Sequence, residues 1–518
     1  MDGRVEPAGQ RNRFLDWVER VGNALPDPIF IFVIIIAVLV VVSVIGAGAG
    51  WSAVNPVTGE TLVVTSLLSE ENVQKLFVEM PRTYTGFAPL GFALTIMLGA
   101  SVAERSGLLT ALMRASLGGL PKNVLVPMVF VLGMLATHAN DAAYMVYVPL
   151  TAIVFAAAGR HPVLGLISGF AGAAVGLAGN LLPGQYDVLL LGITETGARL
   201  LVPDWTMNPV GNWYFSIGIA VVFTAVGWVV LERVVAPRLG KWEGESGVAD
   251  LAGVVLSGRE KQGLMAAGVA ALGVAALMAA LLMWPGFTPL LDEAATGSQR
   301  TTPFFRSIAA MLFLLFIATG WAYGATVGTI RNHRELVGMM VKGLEVILPY
   351  LVLIFFAAHF VAMFGWSNLG PITAITGADQ LRAMQAPPAV LLPILTTMSA
   401  WLDFLIASGS AKWAAMSPVA TPMMMLLDVS PEMTTAAYRV GDTVTNLISP
   451  LNPYVVLTLV FAQRWVPSLK LGTMIALLLP LAIAFYFAGM ALTAAWVALG
   501  IPVGPGAPVG YEIPTVAP

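Results

Sequence analysis

The chain has 518 residues, of which 58% are apolar and only 11% charged, with a net charge of −3. Soluble domains carry about 25% charged residues, so this supply cannot cover a water-facing surface and the remaining solvent is lipid. The small, evenly spread charge excludes nucleic acid as a partner, and the absence of cysteine excludes disulfides, thiolate nucleophiles and cysteine metal sites.

In chain order, residues 1–27 are polar and charged, and a full-length apolar stretch without a small-residue cleavage pattern follows them. They read as a cytoplasmic tail, because a removed signal peptide has a shorter apolar region. A spanning helix needs about 20 mostly apolar residues. Such stretches lie at 28–50, 86–103, 213–231, 263–284, 305–328, 346–366 and 471–498. Two further regions, 123–200 and 388–463, are apolar but interrupted. The first holds Asn140, Asp141, Asn180, Pro183, Gly184 and Asp187; the second holds Ser408, Gly409, Ser410, Asp442, Asn446, Pro450, Asn452 and Pro453. Residues 499–518 form a C-terminal tail.

Orientation follows from lysine and arginine. With the N-terminus inside, 18 of the 26 fall in inward segments, 6 fall outside, and Lys412 and Arg439 sit at membrane depth. This works if each interrupted region supplies one hairpin that enters and leaves on the same side, followed by one broken spanning helix. The expected fold is therefore an all-α integral membrane protein with about nine transmembrane helices and two re-entrant hairpins, forming one transmembrane domain over 28–498.

The two interrupted regions read as copies at an offset of 269. Pro149 and Pro162 fall on Pro418 and Pro431, Gly172 on Gly441, and Tyr144 on Trp413, while NLLPG at 180 echoes NLISP at 446. Because the hairpins would enter from opposite sides, the repeat would be inverted, as in many secondary transporters with a midplane site. Unwound backbone survives at membrane depth only where protein or a watery cavity covers it. The helix breakers Pro183, Gly184, Pro450 and Pro453 therefore point to a binding site.

Three stretches, LDWVERVGNALPDPIFIF (15–32), GNLLPGQYDVLLLGITE (179–195) and SGSAKWAAMSPVATPMMMLLDVSPEMTTAAYRVGDTVTNLISPLNPY (408–454), resemble the p-aminobenzoyl-glutamate transporter (AbgT) family. The resemblance implies a homodimer in the bacterial inner membrane, with nine spans and two hairpins. It also implies transport of p-aminobenzoyl-glutamate, p-aminobenzoate or sulfonamide-like compounds, by import in some members and drug export in others. The family's important positions correspond to Asp187, Ser410, Trp413, Pro431, Arg439, Asp442 and Pro450.

Each candidate carries a structural alternative. Arg439 and Asp442 are three apart on one helix face and are costly at membrane depth. They are either a structural pair or, as expected here, an anchor for a substrate carboxylate beside a group that binds a proton or cation. A carboxylate at depth next to a guanidinium is poised between its charged and neutral forms. Asp187 is either the N-cap of a restarting helix or a cation ligand. Trp413 is expected to face the cavity and stack on an aromatic substrate, with packing as the alternative. Ser408 to Ser410 form one hairpin tip, and Asn140 and Asp141 the other.

No cofactor is expected beyond a coupling proton or sodium, the latter placed near Asp442 and Asn446. The four histidines show no metal-ligand spacing, and His138 reads as a buried histidine ahead of a proton relay. The expected partners are a small aromatic anion and the lipid bilayer. A sodium-coupled dicarboxylate or citrate carrier is the rival within the class. An intramembrane aspartyl protease is the rival outside it, although no glycine stands two residues before Gly441 to complete GxGD, and neither HExxH nor a Walker sequence is present.

Overall fold

The computed structural model describes residues 28–118, 120–121, 124–140, 142–243, 255–295, 300–406, 408–449 and 451–512. The tail 1–27 and the candidates Asp141 and Pro450 lie outside the described residues.

Among the described residues the fold is helical, apart from one antiparallel hairpin of β1 (Ser52–Val54) and β2 (Thr61–Val63). Among the same residues, seven helices are long and apolar enough to cross a membrane: Ile29–Gly48, Glu70–Arg105, Trp213–Leu239, Gly258–Met283, Ile308–Val327, Ile347–Trp366 and Leu471–Leu499. Each coincides with a stretch expected from hydropathy. Ten helices are used by name below. In the first interrupted region these are α1 (Leu125–Ala136), α2 (Val148–Ala157), α3 (Pro162–Val175) and α4 (Gln185–Ala198). Then comes α5 (Trp213–Val230).

The second region repeats that order with α6 (Pro388–Leu402), α7 (Gly409–Leu426), α8 (Pro431–Asn446), α9 (Pro453–Trp465) and α10 (Leu471–Leu499). In each region the first two helices form a hairpin, the next two are the halves of a broken helix, and the fifth packs alongside. The hairpin helices α1 and α6 lie on their own broken helices, α3 and α8. Gly172 on α3 and Gly441 on α8 meet the backbones of Phe130 and Thr396 respectively, leaving no room for a Cβ. The matched glycines thus do the same job, which is close helix approach.

Helix starts match as well. His161 accepts a hydrogen bond from the Val163 amide at 3.2 Å ahead of Pro162, and Ser430 accepts from Met433 at 3.1 Å ahead of Pro431. Proline at the first helical position lacks an N–H that would have no intrahelical partner there, so both prolines begin a broken helix. Direction is fixed by two contacts between α4 and α8. Tyr186 touches Asp442 at 3.2 Å, and Thr194 touches Thr435 at 2.6 Å. The early residue of α4 meets the late residue of α8, so the two broken helices run antiparallel and the repeat is inverted.

The C-terminal segment is tied down. The Phe215 amide donates to the Val503 carbonyl at 3.0 Å, Ser430 to Val509 at 2.9 Å and Tyr511 to Asp428 at 3.0 Å. Its described residues therefore strap the starts of α5 and α8.

Candidate functional site

Both breaks are built around asparagine. Asn180 Nδ2 donates to the Met134 carbonyl at 2.6 Å and its Oδ1 accepts from Leu181 at 2.9 Å. In the second break, Asn446 Nδ2 donates to the Asp442 carbonyl at 3.0 Å. Asn452 caps α9 by accepting from Tyr454 at 3.0 Å, and it donates to the Asn446 carbonyl at 2.9 Å. These side chains satisfy backbone groups that the interruption would otherwise leave unpaired.

The hairpin tips reach the breaks. Asn140 has a positive φ (49°), which asparagine tolerates better than most residues, and its side-chain oxygen accepts from Gln185 Nε2 at the start of α4. Ser408 caps α7 by accepting from the Ala411 amide. Gly409 is already helical; it is small because a Cβ there would meet the Tyr186 hydroxyl and the Asp442 carboxylate. Close approach to the site, more than turning, demands that glycine.

Between tips and breaks lies a cavity of about 500 Å³. Asn140, Asn180, Asp187 and His138 line it from the first repeat, and Ser410, Arg439, Asp442 and Asn446 from the second. His138, half-buried, pairs its Nδ1 with the Leu135 carbonyl at 3.0 Å. Tyr144 and Tyr454, on opposite repeats, also face the cavity with their rings stacked at 3.9 Å and 10°.

Two ionic groups stand at the cavity wall, and they are paired differently from the expectation. Arg439 is bound to Asp187 of the other repeat, Nη1 to Oδ1 at 2.6 Å, and donates to the Leu177 carbonyl at 2.7 Å. Asp442 is bound by Lys412 at 2.8 Å, and Lys412 is bound equally closely to Asp403. Arg439 and Asp442 share a helix, but each side chain finds its countercharge on another element. Tyr186 links the two groups: its hydroxyl donates to Asp442 Oδ2 at 3.2 Å, and the Arg439 guanidinium lies 5.9 Å from its ring centre.

Asp187 is the third residue of α4, with Gly184 and not Asp187 as the N-cap, and its two carboxylate oxygens take separate partners. Oδ2 accepts from the Gly184 amide at 2.7 Å, closing the first turn of α4, while Oδ1 holds Arg439. Trp413 takes its packing alternative. It is fully buried, stacks on Tyr438 at 4.4 Å and donates through Nε1 to Thr194 at 2.8 Å, away from the cavity. The aromatic surface at the cavity belongs instead to its repeat counterpart, Tyr144. Pro431 is likewise remote and serves the start of α8. At the position near Asp442 expected to hold sodium, the Lys412 ammonium stands 2.8 Å from the carboxylate.

The sequence places Lys412 at membrane depth without giving it a role, and Asp403, Tyr186 and Tyr438 are not singled out from it. A signal existed for Lys412 and Asp403: a lysine at membrane depth needs a carboxylate, and Asp403 lies nine residues before it in the same hairpin.

Comparison with known proteins agrees with this architecture. Residues 13–511 match the AbgT putative transporter family. The chain is 35% identical over 502 residues to the p-aminobenzoyl-glutamate transport protein of Escherichia coli (strain K12), covering 97% of this chain and 98% of that one. The Neisseria gonorrhoeae MtrF structure, described as illuminating a class of antimetabolite efflux pumps, superposes with a TM-score of 0.88 at 37% identity, covering 96% of this chain and all of that one. The Alcanivorax borkumensis YdaH transporter, described as having an unusual topology, gives 0.86 at 35% identity, covering 93% and 100%.

Proposed function

The chain belongs to the AbgT transporter family, a multi-pass protein of the bacterial inner membrane, and we propose that it is a proton-coupled secondary transporter of p-aminobenzoyl-glutamate, p-aminobenzoate or sulfonamide-like anions. The observation that carries this reading is the Arg439–Asp187 pair at the cavity wall. A guanidinium fits a carboxylate with two parallel hydrogen bonds, and here its resident partner is a carboxylate from the opposite repeat. An incoming anion competes with Asp187 for Arg439.

Once displaced, Asp187 is a buried carboxylate without its countercharge, and taking a proton removes that charge. Substrate and proton then occupy the site together and leave together. The group released by substrate is Asp187, where the sequence pointed to Asp442, because Asp442 keeps Lys412 whether or not Arg439 is engaged. A proton is preferred to sodium for the same reason.

Aromatic substrates are favoured over small dicarboxylates by the lining. Tyr144, Tyr186, Tyr350 and Tyr454 line a cavity whose volume lies within the roughly 300–1,000 Å³ typical of small-molecule sites. Purified protein in liposomes should take up labelled p-aminobenzoyl-glutamate unaltered, with sulfonamide competing and succinate or citrate not. Competition by citrate alone would favour the dicarboxylate reading, and chemical conversion of the substrate would favour an enzyme.

A further inference from the structure

Lys412 is held in an unusual way for a lysine. Its ammonium has three N–H donors, and three oxygens surround it: Asp403 Oδ1 and Asp442 Oδ1, each at 2.8 Å, and the Ser399 carbonyl at 3.1 Å. The Tyr438 ring centre lies 5.4 Å away. All three ionic side chains are at most 1% exposed. Two carboxylates and a backbone carbonyl around one compact charge are the kind of oxygen donors that a hard cation takes from a protein.

The repeat shows that the fold does not require this centre. In α7 and α8 the offset is 269, so Lys412 and Asp442 correspond to Ala143 and Ala173, both completely buried; in the first hairpin helix, where Thr396 meets Gly441 as Phe130 meets Gly172, the offset is 266 and Asp403 corresponds to Thr137. The first hairpin closes on its broken helix with two alanines and a threonine at those positions, and no charge. Replacing buried ion triads by apolar residues is often neutral or stabilising, so packing alone gives no reason for the second repeat to keep three charges. Their placement gives one: Asp442 also lines the cavity, and its second oxygen accepts from Tyr186, the neighbour of Asp187.

We propose that Lys412 is a built-in monovalent cation: its ammonium occupies, in tethered form, an alkali-cation site formed by Asp403, Asp442 and the Ser399 carbonyl beside the substrate cavity. The wild-type protein therefore keeps this site charged without sodium. Removing the ammonium uncovers a sodium-binding site. This goes beyond the substrate reading and does not depend on it.

The test uses full-length purified protein, with thermal unfolding followed in sodium chloride and in choline chloride at equal ionic strength. Wild type should show the same midpoint in both salts. Lys412→Ala should unfold several degrees lower in choline and recover saturably with sodium. Lys412→Ala combined with Asp403→Asn should lose that recovery, because one of the two anionic ligands is gone. A Lys412→Ala protein with no sodium-specific shift, or a wild type already stabilised by sodium to the same degree, overturns the proposal.

If Lys412→Ala does not fold, wild type still decides. Binding of p-aminobenzoyl-glutamate should be equal in the two salts, and binding or stability that requires sodium overturns the assignment. Failure of that compound to bind in either salt would count against the proposed substrate only.

Discussion

The two hairpin units share a skeleton and differ in chemistry. Every residue of α3 is buried and none is charged; every residue of α8 is buried as well, yet it carries Glu432, Arg439 and Asp442. Burial is therefore set by position in the repeat, and composition by what the position does. The first unit contributes shape, a polar hairpin tip and one carboxylate, Asp187. The second contributes the guanidinium and the ionic centre. Substrate chemistry is thus assembled across the inverted axis, so that motion of either unit acts on the Asp187–Arg439 contact.

The largest expected effect comes from breaking the ionic centre halfway. Lys412→Ala leaves two buried carboxylates without their countercharge, a loss of about 3–5 kcal/mol, read as thermal unfolding in sodium-free buffer. Copying the first unit completely, with Asp403→Thr, Lys412→Ala and Asp442→Ala together, should recover most of that stability and leave transport abolished. A triple variant as unstable as the single one would show that the two units do not pack alike.

Next is Trp413. Trp413→Ala removes a fully buried ring, costing about 3–5 kcal/mol, whereas Trp413→Phe loses mainly the hydrogen bond to Thr194, about 1 kcal/mol. Neither should change the preference for aromatic over dicarboxylate competitors. A selective loss of aromatic recognition would return the indole to the cavity.

Gly172→Ala and Gly441→Ala should each cost about 1–3 kcal/mol by pushing a Cβ into the facing helix backbone, and by similar amounts in the two units. A large difference in their unfolding midpoints would break the correspondence. The smallest effect is expected at the partly exposed pair Arg160–Glu232, 2.7 Å apart. Arg160→Ala should cost less than about 1 kcal/mol on the same measurement.

Most of the scaffold was legible because lipid imposes a simple rule on composition, and the seven long apolar helices obey it. The repeat was legible through Pro162, Pro431, Gly172 and Gly441, since backbone geometry restricts those positions to very few residue types. The pairing of charges was not. Helical spacing places Arg439 and Asp442 on one face, but it carries no information about which other element approaches that face. Asp187 and Lys412 reach α8 from chain segments 252 and 27 residues away, counted from Arg439. Trp413 was misplaced for the same reason: its spacing from the hairpin tip fixes depth, while the direction of its ring depends on Thr194 and Tyr438.

The account turns on Asp187 as the carboxylate that exchanges Arg439 for a proton. The most direct measurement is transport of labelled p-aminobenzoyl-glutamate in proteoliposomes with an imposed proton gradient, comparing wild type with Asp187→Asn. Wild type should move substrate beyond equal concentrations, and the variant should only equilibrate it, while still exchanging labelled for unlabelled substrate at equal concentrations. An Asp187→Asn protein that concentrates substrate against its gradient would contradict the account.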